Sequence, residues 1–175
     1  MNTKLVTRYA VRELMGIAVM GVALFCSAGR LDWWPAWAIL GVMLAWIIAT
    51  AAVILRLNPG LLAERLGPRK GAKTWDTAIM SLLGIIQLAR YILAGLDQRN
   101  NWTGDFPAGA QVISLAVCAL GYALVVWATA SNAYFSQIVR LQPERGQTVV
   151  TGGPYRFVRH PAYSGALLFE LAAPL

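Results

Sequence analysis

The residues best suited to chemistry lie in one short stretch of the chain, 140–165. It contains the only histidine, His160, and two nearby bases, Arg156 and Arg159. Pro161 fits the first turn of a following helix, which would place His160 near a helix N-terminus, where unpaired backbone N–H groups favour an anionic group. The two arginines strengthen that preference. The stretch therefore predicts a site for a ligand with an anionic end.

Aromatic side chains add a second chemical property to the same stretch. Tyr155 and Tyr163 offer flat faces and hydroxyl groups, which suit a heteroaromatic ring or the closing of a pocket. Residues 147–151 favour a short extended piece, and the Gly-Gly-Pro run at 152–154 is typical of a turn. These residues favour a pocket for a cofactor with an anionic end and an aromatic base. The alternative is a basic cytoplasmic loop that binds no ligand, in which Pro and Gly only form turns.

The elements that must position this stretch are predicted to be membrane-spanning helices. Of the 175 residues, 58% are apolar and 13% are charged, against about 25% charged in soluble domains, so a soluble globular enzyme is excluded. Runs nearly free of charge predict an all-α fold, a polytopic membrane helix bundle in one domain, with four full transmembrane helices, a truncated fifth and a cytoplasmic cofactor-binding segment at 140–165. We place the spans at about 10–30, 33–55, 76–96, 108–131 and 161–175. The first run could alternatively be a cleaved signal peptide.

The net charge of +7 comes from bases that lie mostly on one side of the predicted bundle. Most of the 15 Lys and Arg fall in the N-terminus, in the second connection or after the fourth span. The positive-inside rule makes these segments cytoplasmic, so the charge indicates topology and nucleic acid is not an expected partner. The lone histidine and two cysteines inside apolar runs, Cys26 and Cys118, predict no metal site.

A short interfacial helix is predicted between the second and third spans, over residues 58–68. Asn58 is its candidate N-cap, its leucines are expected to face lipid, and Glu64 and Arg65 are expected to face water. The helix could be a structural elbow or a lid that contacts substrate. Gly67-Pro68 is expected to end it.

Two charged residues fall within predicted spans, where burial in lipid is costly. Arg90 lies about six residues from the outer end of the third span, and we interpret it as snorkelling toward the outer surface. Glu170 is interpreted as a structural carboxylate that faces the interior, with a role in substrate binding as the alternative.

The order of residues in 142–165 is more specific than their composition. It contains Gly153-Pro154-Tyr155-Arg156-x-x-Arg159-His160-Pro161-x-Tyr163-x-Gly165, preceded by Gln147-Thr148-Val149-Val150-Thr151. This pattern resembles the signature of the isoprenylcysteine carboxyl methyltransferase family of integral membrane methyltransferases, which is related to the phospholipid methyltransferases. The Asn58–Leu66 segment resembles the family more weakly. The resemblance implies that S-adenosylmethionine binds on the cytoplasmic side.

The resemblance also implies which residues form the site. The implied cofactor-binding residues are Gln142, Gln147, Thr148, Val149, Val150, Tyr155, His160, Pro161, Ala162 and Tyr163. The candidate catalytic residues are His160 and Arg159. A carboxylate acceptor would need no general base, whereas an amine acceptor would first have to lose a proton, for which His160 is the only histidine. The expected partners are membrane lipid and a lipophilic small-molecule or lipidated substrate.

Other functions remain open from the sequence. A sterol-type membrane reductase uses a similar His-Pro-x-Tyr-like segment to bind NADPH. Members of the methyltransferase family continue past the motif to an acidic segment with paired glutamates, so the resemblance leads us to expect that the C-terminal part of the family fold is missing here. A non-catalytic membrane fragment or scaffold is therefore a further alternative.

Overall fold

The computed structural model describes residues 3–66, 73–104, 106–136 and 142–173, and helices dominate these ranges. Six α-helices follow one another: α1 Thr3–Ala28, α2 Trp34–Leu57, α3 Gly60–Leu66, α4 Thr74–Asn100, α5 Ala108–Ser131 and α6 Pro161–Ala172. Two 3₁₀ turns, Pro143–Arg145 and Gly153–Arg156, lie between α5 and α6. The described ranges contain no strand, so the predicted all-α fold is confirmed.

Four of the helices, α1, α2, α4 and α5, are long and apolar enough to cross a membrane. They contain 24 to 27 residues, and about 20 suffice for a hydrocarbon core. The prediction of four long helices and a shorter C-terminal one is confirmed, since α6 has 12 residues. Helix α1 begins at Thr3, before the predicted start of the first span at about residue 10. The charged residues ahead of the apolar run are unfavourable in hydrocarbon, but they do not interrupt a helix.

Helices α5 and α6 touch backbone to backbone at a pair of glycines. A Cβ atom added at Gly121 would lie 2.5 Å from the Gly165 carbonyl oxygen, and one added at Gly165 would lie 2.4 Å from the Gly121 carbonyl oxygen. Small residues at a crossing permit such close approach in membrane bundles. This contact fixes the position of α6 and therefore of its N-terminus.

Aromatic stacking extends the same core to α2. The ring of Phe169 on α6 lies 4.3 Å from the ring of Tyr122 on α5, measured between centroids. Tyr122 in turn stacks on Trp46 of α2 at 4.6 Å. Phe169 is 1% exposed, so α6 is fastened to the bundle by its side chains as well as by its backbone.

The short helix α3 is buried more deeply than the sequence predicts. Leu61 is completely buried and Leu62 is 5% exposed, and both pack with Tyr9 and Ile54. Arg65 is only 8% exposed. The predictions that these leucines face lipid and that Arg65 faces water are therefore wrong, because α3 lies against α1 and α2 and its apolar side chains gain more protein contact there.

Asn58 has a different role from the predicted one. Its side-chain amide donates to the carbonyl oxygens of Thr129 and Ala130, at 3.5 and 3.4 Å, and its backbone N–H donates to Ile54 at 3.1 Å. The last carbonyls of a helix lack internal partners, and Asn58 supplies donors to two such helix ends. It thus ties α2 to α5 instead of capping α3. The predicted stop at Gly67-Pro68 lies outside the described residues.

The two intramembrane charges pair with each other. Arg90 Nη1 donates to Glu170 Oε2 at 2.6 Å and to the Glu170 carbonyl oxygen at 3.0 Å. The Gln87 amide donates to the second carboxylate oxygen, Oε1, at 2.7 Å. The snorkelling prediction for Arg90 is wrong, because a facing carboxylate on α6 neutralises the guanidinium where it stands. This pair links α4 to α6.

Candidate functional site

A cleft of about 210 Å³ lies where the end of α5 meets the start of α6. The residues that line it are Asn132, Tyr134, Phe135, Ser136, Tyr155, Arg159, His160, Pro161, Ala162 and Tyr163. Six of these belong to the site expected from the sequence, those between 155 and 163. The fold therefore brings together the second half of the predicted site.

The histidine of the cleft stands at the N-terminus of α6, as the sequence predicts. His160 directly precedes Pro161, the first residue of the helix, and its carbonyl oxygen accepts the backbone N–H of Ser164 at 3.1 Å. Its side chain forms no capping hydrogen bond, and its ring stacks on that of Tyr163 with centroids 5.6 Å apart. Because the first backbone N–H groups of a helix have no internal acceptor, this end attracts anions.

Tyr155 also lines the cleft. Its hydroxyl oxygen accepts a hydrogen bond from the side-chain amide of Asn132 at 3.1 Å. Burial raises the pKa of the Tyr155 phenol, and the Asn132 hydrogen bond opposes that rise. The phenol is therefore neutral at physiological pH, and its O–H remains free to donate to a ligand in the cleft.

One wall of the cleft comes from a turn that the sequence analysis did not single out. The side-chain oxygen of Asn132 accepts the backbone N–H of Tyr134 at 2.8 Å, which folds the chain over directly after α5. The other cleft residues of this turn are Phe135 and Ser136. The signal that could have found them is a polar residue followed by two aromatics at the end of an apolar run.

Gln142 fastens the next segment to this turn. It is 1% exposed, its side-chain amide donates to the Tyr134 carbonyl oxygen at 2.8 Å, and its side-chain oxygen accepts from Arg145 at 2.6 Å. Its backbone N–H donates to the side-chain oxygen of Gln147 at 2.7 Å. Gln142 therefore holds the 142–147 turn against the end of α5 and does not line the cleft.

The other four predicted cofactor residues lie outside the cleft. Gln147, Thr148 and Val149 are exposed and Val150 is half-buried. The segment has no regular secondary structure, and residues 148–150 form no backbone hydrogen bond with other residues that the structure describes.

We predict that Gln142→Met loosens the turn at residues 142–147. The change leaves Arg145 Nη1 and the Tyr134 carbonyl oxygen without their partner, at a cost of about 1–3 kcal/mol. Amide hydrogen exchange across residues 145–147, whose backbone N–H groups are hydrogen-bonded within this turn, should accelerate roughly tenfold or more. Gln111→Met is the control, since the structure gives the Gln111 side chain no hydrogen bond, and it should leave this exchange unchanged. Exchange in Gln142→Met at the wild-type rate would contradict the role assigned to Gln142.

The part of the chain that forms the cleft is also the part that matches a known protein family. Residues 112–175 match the isoprenylcysteine carboxyl methyltransferase (ICMT) family. All of the residues that line the cleft lie within the matched range, so the resemblance seen in the signature is confirmed there. The ICMT match suggests a methyltransferase. Comparison with curated proteins and with solved structures yields no match.

Proposed function

We propose that the protein transfers a methyl group from S-adenosylmethionine to a lipophilic, membrane-embedded acceptor. The observation that carries the proposal is the run Arg159-His160-Pro161-x-Tyr163, which lines one cleft at the start of α6 within the region matched to the ICMT family. The family favours the carboxylate of an isoprenylated cysteine, and hence a prenylated protein, as the acceptor. An amine on a membrane lipid is the other acceptor that this site chemistry would suit.

The residues of the site fit the chemical groups of S-adenosylmethionine. Arg159 and the N-terminus of α6 suit its carboxylate, and the rings of Tyr155 and Tyr163 suit its adenine. The cleft is smaller than the roughly 300–1,000 Å³ of most small-molecule pockets, so it would hold one part of the cofactor. The backbone groups of residues 148–150, which have no hydrogen-bond partner among the described residues, would hold the remainder, and Gln142 would act by holding the preceding turn in place.

S-adenosylmethionine supplies an activated methyl group whose sulfonium leaves as a neutral thioether. The protein's share of such an in-line displacement is to align donor and acceptor and to exclude water. Tyr155 and Tyr163, which both line the cleft, would orient the ligand. A carboxylate acceptor needs no base, whereas His160 would accept the proton that an amine acceptor must lose.

An apolar groove between α2 and α5 supports a lipophilic acceptor. It encloses about 420 Å³ and is lined by Val42, Ala45, Trp46, Ala49, Ala119, Tyr122, Ala123, Val126 and Trp127. Trp127 lies where the groove meets the site segment: its ring is 6.5 Å from that of Phe157. We assign the groove to the hydrocarbon chain of the acceptor, whose reactive end would then lie near the cleft.

Calorimetry with S-adenosylmethionine on the purified chain in detergent tests the proposal. We expect the wild type to bind and Arg159→Gln to bind about tenfold or more weakly, because a charge-assisted hydrogen bond contributes about 1.5–3 kcal/mol. His160→Ala should also weaken binding.

Arg156→Gln is the matched control for this measurement. The Arg156 guanidinium lies 5.1 Å from the centre of the Phe157 ring and does not line the cleft, so its loss should change the affinity less than about twofold. NADPH provides the comparison ligand. The proposal fails if the wild type does not bind S-adenosylmethionine, or if it binds NADPH in its place.

A further inference from the structure

A stripe of positive charge runs along the first part of α1. Lys4, Arg8 and Arg12 are four residues apart, so each advances about 6 Å along the axis and turns only about 40° around it. All three side chains are exposed. The stripe places three cations on one face of a single helix, within about 12 Å.

The stripe is poorly neutralised by the protein itself. Arg12 pairs with Glu13 and donates to the carbonyl oxygen of Arg65 at 2.5 Å. Lys4 and Arg8 form no ion pair with any carboxylate that the structure describes. Like charges four residues apart destabilise a helix, so an anion on this face would relieve repulsion.

The stripe forms one wall of a cleft of about 920 Å³ between α1 and the end of α3. The lining residues are Thr3, Lys4, Thr7, Arg8, Val11, Arg12, Met15, Arg65 and Leu66. Along the axis of α1 the basic side chains of Lys4, Arg8 and Arg12 are followed by the apolar Met15, and Val11 and Leu66 add further apolar lining. The cleft therefore has the polarity of a molecule with an anionic end and a hydrocarbon chain.

We propose that this cleft binds an anionic membrane phospholipid. The phosphate would lie among Lys4, Arg8 and Arg12, and an acyl chain would follow Val11 and Met15 into the bilayer. A water-soluble anion would leave the apolar part empty, and a zwitterionic lipid brings a cation that the stripe repels. Basic residues next to a membrane helix attract anionic lipid in this way.

The lipid cleft lies near the candidate site but is separate from it. Arg65 lines the lipid cleft, its guanidinium lies 5.8 Å from the centre of the Phe135 ring, and Phe135 lines the candidate site. Both clefts thus lie at the same end of the bundle. The lipid proposal does not depend on methyl transfer and can be tested without it.

The test is lipid binding by the detergent-purified chain, measured by native mass spectrometry. Dioctanoyl phosphatidylglycerol should be retained at least tenfold more strongly than dioctanoyl phosphatidylcholine. The double variant Lys4→Gln/Arg8→Gln should bind phosphatidylglycerol roughly 30-fold more weakly, which is about fivefold for each cation removed. Deacylated glycerophosphoglycerol should bind too weakly to be detected, because it lacks the chain that the apolar part accommodates.

Arg56→Gln/Lys73→Gln is the matched control. It removes the same charge from the same end of the bundle, and neither residue lines the cleft, so phosphatidylglycerol binding should stay within about twofold of wild type. The proposal is overturned if this control weakens binding as much as the stripe variant does. Equal retention of the two lipids by the wild-type protein, or tight binding of glycerophosphoglycerol, would also overturn it. These two measurements use only the wild-type protein, so they do not depend on the folding of any variant.

Discussion

Replacing Gly165 by alanine is expected to destabilise the protein by about 1–3 kcal/mol, the usual cost of overpacking. The added Cβ would lie 2.4 Å from the Gly121 carbonyl oxygen and 3.0 Å from a methyl group of Val125. The carbonyl belongs to the backbone of α5 and cannot rotate away as a side chain can. Helix α6 would therefore have to move. Thermal unfolding in detergent, followed by circular dichroism, measures the loss.

The same substitution should also weaken cofactor binding under the proposed function. Helix α6 begins at Pro161, only one turn before Gly165, so a shift at the crossing carries His160 and Tyr163 with it. The wall formed by Tyr155 is held separately, through Asn132. Calorimetry with S-adenosylmethionine should show a lower affinity for the fraction of Gly165→Ala that remains folded.

Gly84→Ala is the control for this substitution. Gly84 lies within α4, and an added Cβ there meets nothing within 4 Å. Alanine favours a helix over glycine by up to about 1 kcal/mol, so this variant should be as stable as wild type or slightly more so. If Gly165→Ala unfolds at the same temperature as Gly84→Ala, the two helices can separate at no cost and the crossing does not fix α6.

The sequence predicts those parts of the molecule that depend on continuous segments. Four apolar runs predict four long helices, because length and hydropathy alone decide whether a helix can span hydrocarbon. The cleft half formed by Tyr155, Arg159 and His160 is also predictable, since neighbours along a short turn remain neighbours in space. Pro161 marks the start of α6 for the same local reason.

What the sequence does not predict is the direction in which each helix faces. Hydropathy indicates that Leu61 and Leu62 are apolar but not whether lipid or protein covers them, and α1 and α2 provide the protein. For the same reason the sequence does not predict that Asn132, directly after α5, lines the cleft and bonds Tyr155, which lies 23 positions later in the chain. Nor does it predict the pairing of Arg90 with Glu170, whose separation of 80 positions follows no local rule.

That pair gives the second large effect: removing either charge alone should destabilise the protein more than removing both. Arg90 and Glu170 lie in apolar helices, and their side chains are 28% and 42% exposed. We expect hydrocarbon to cover that exposed area, and one uncompensated charge at the centre of a membrane helix costs about 2.5–3.5 kcal/mol. Arg90→Gln and Glu170→Gln should each lose roughly that amount, and the double variant should recover most of it. Reversible unfolding in lipid bicelles, across a complete double-mutant cycle, measures the coupling.

The matched control is an arginine–carboxylate pair of similar geometry that is exposed to water. Arg30 donates two hydrogen bonds to the Asp32 carboxylate, at 2.6 and 2.7 Å, and both side chains lie exposed in the turn between α1 and α2. Water screens such a pair and solvates each charge when the other is removed. The cycle through Arg30→Gln and Asp32→Asn should therefore show no resolvable coupling. Equal coupling in the two cycles would mean that water reaches Arg90 and Glu170, and that α4 and α6 are held together there by ordinary surface electrostatics.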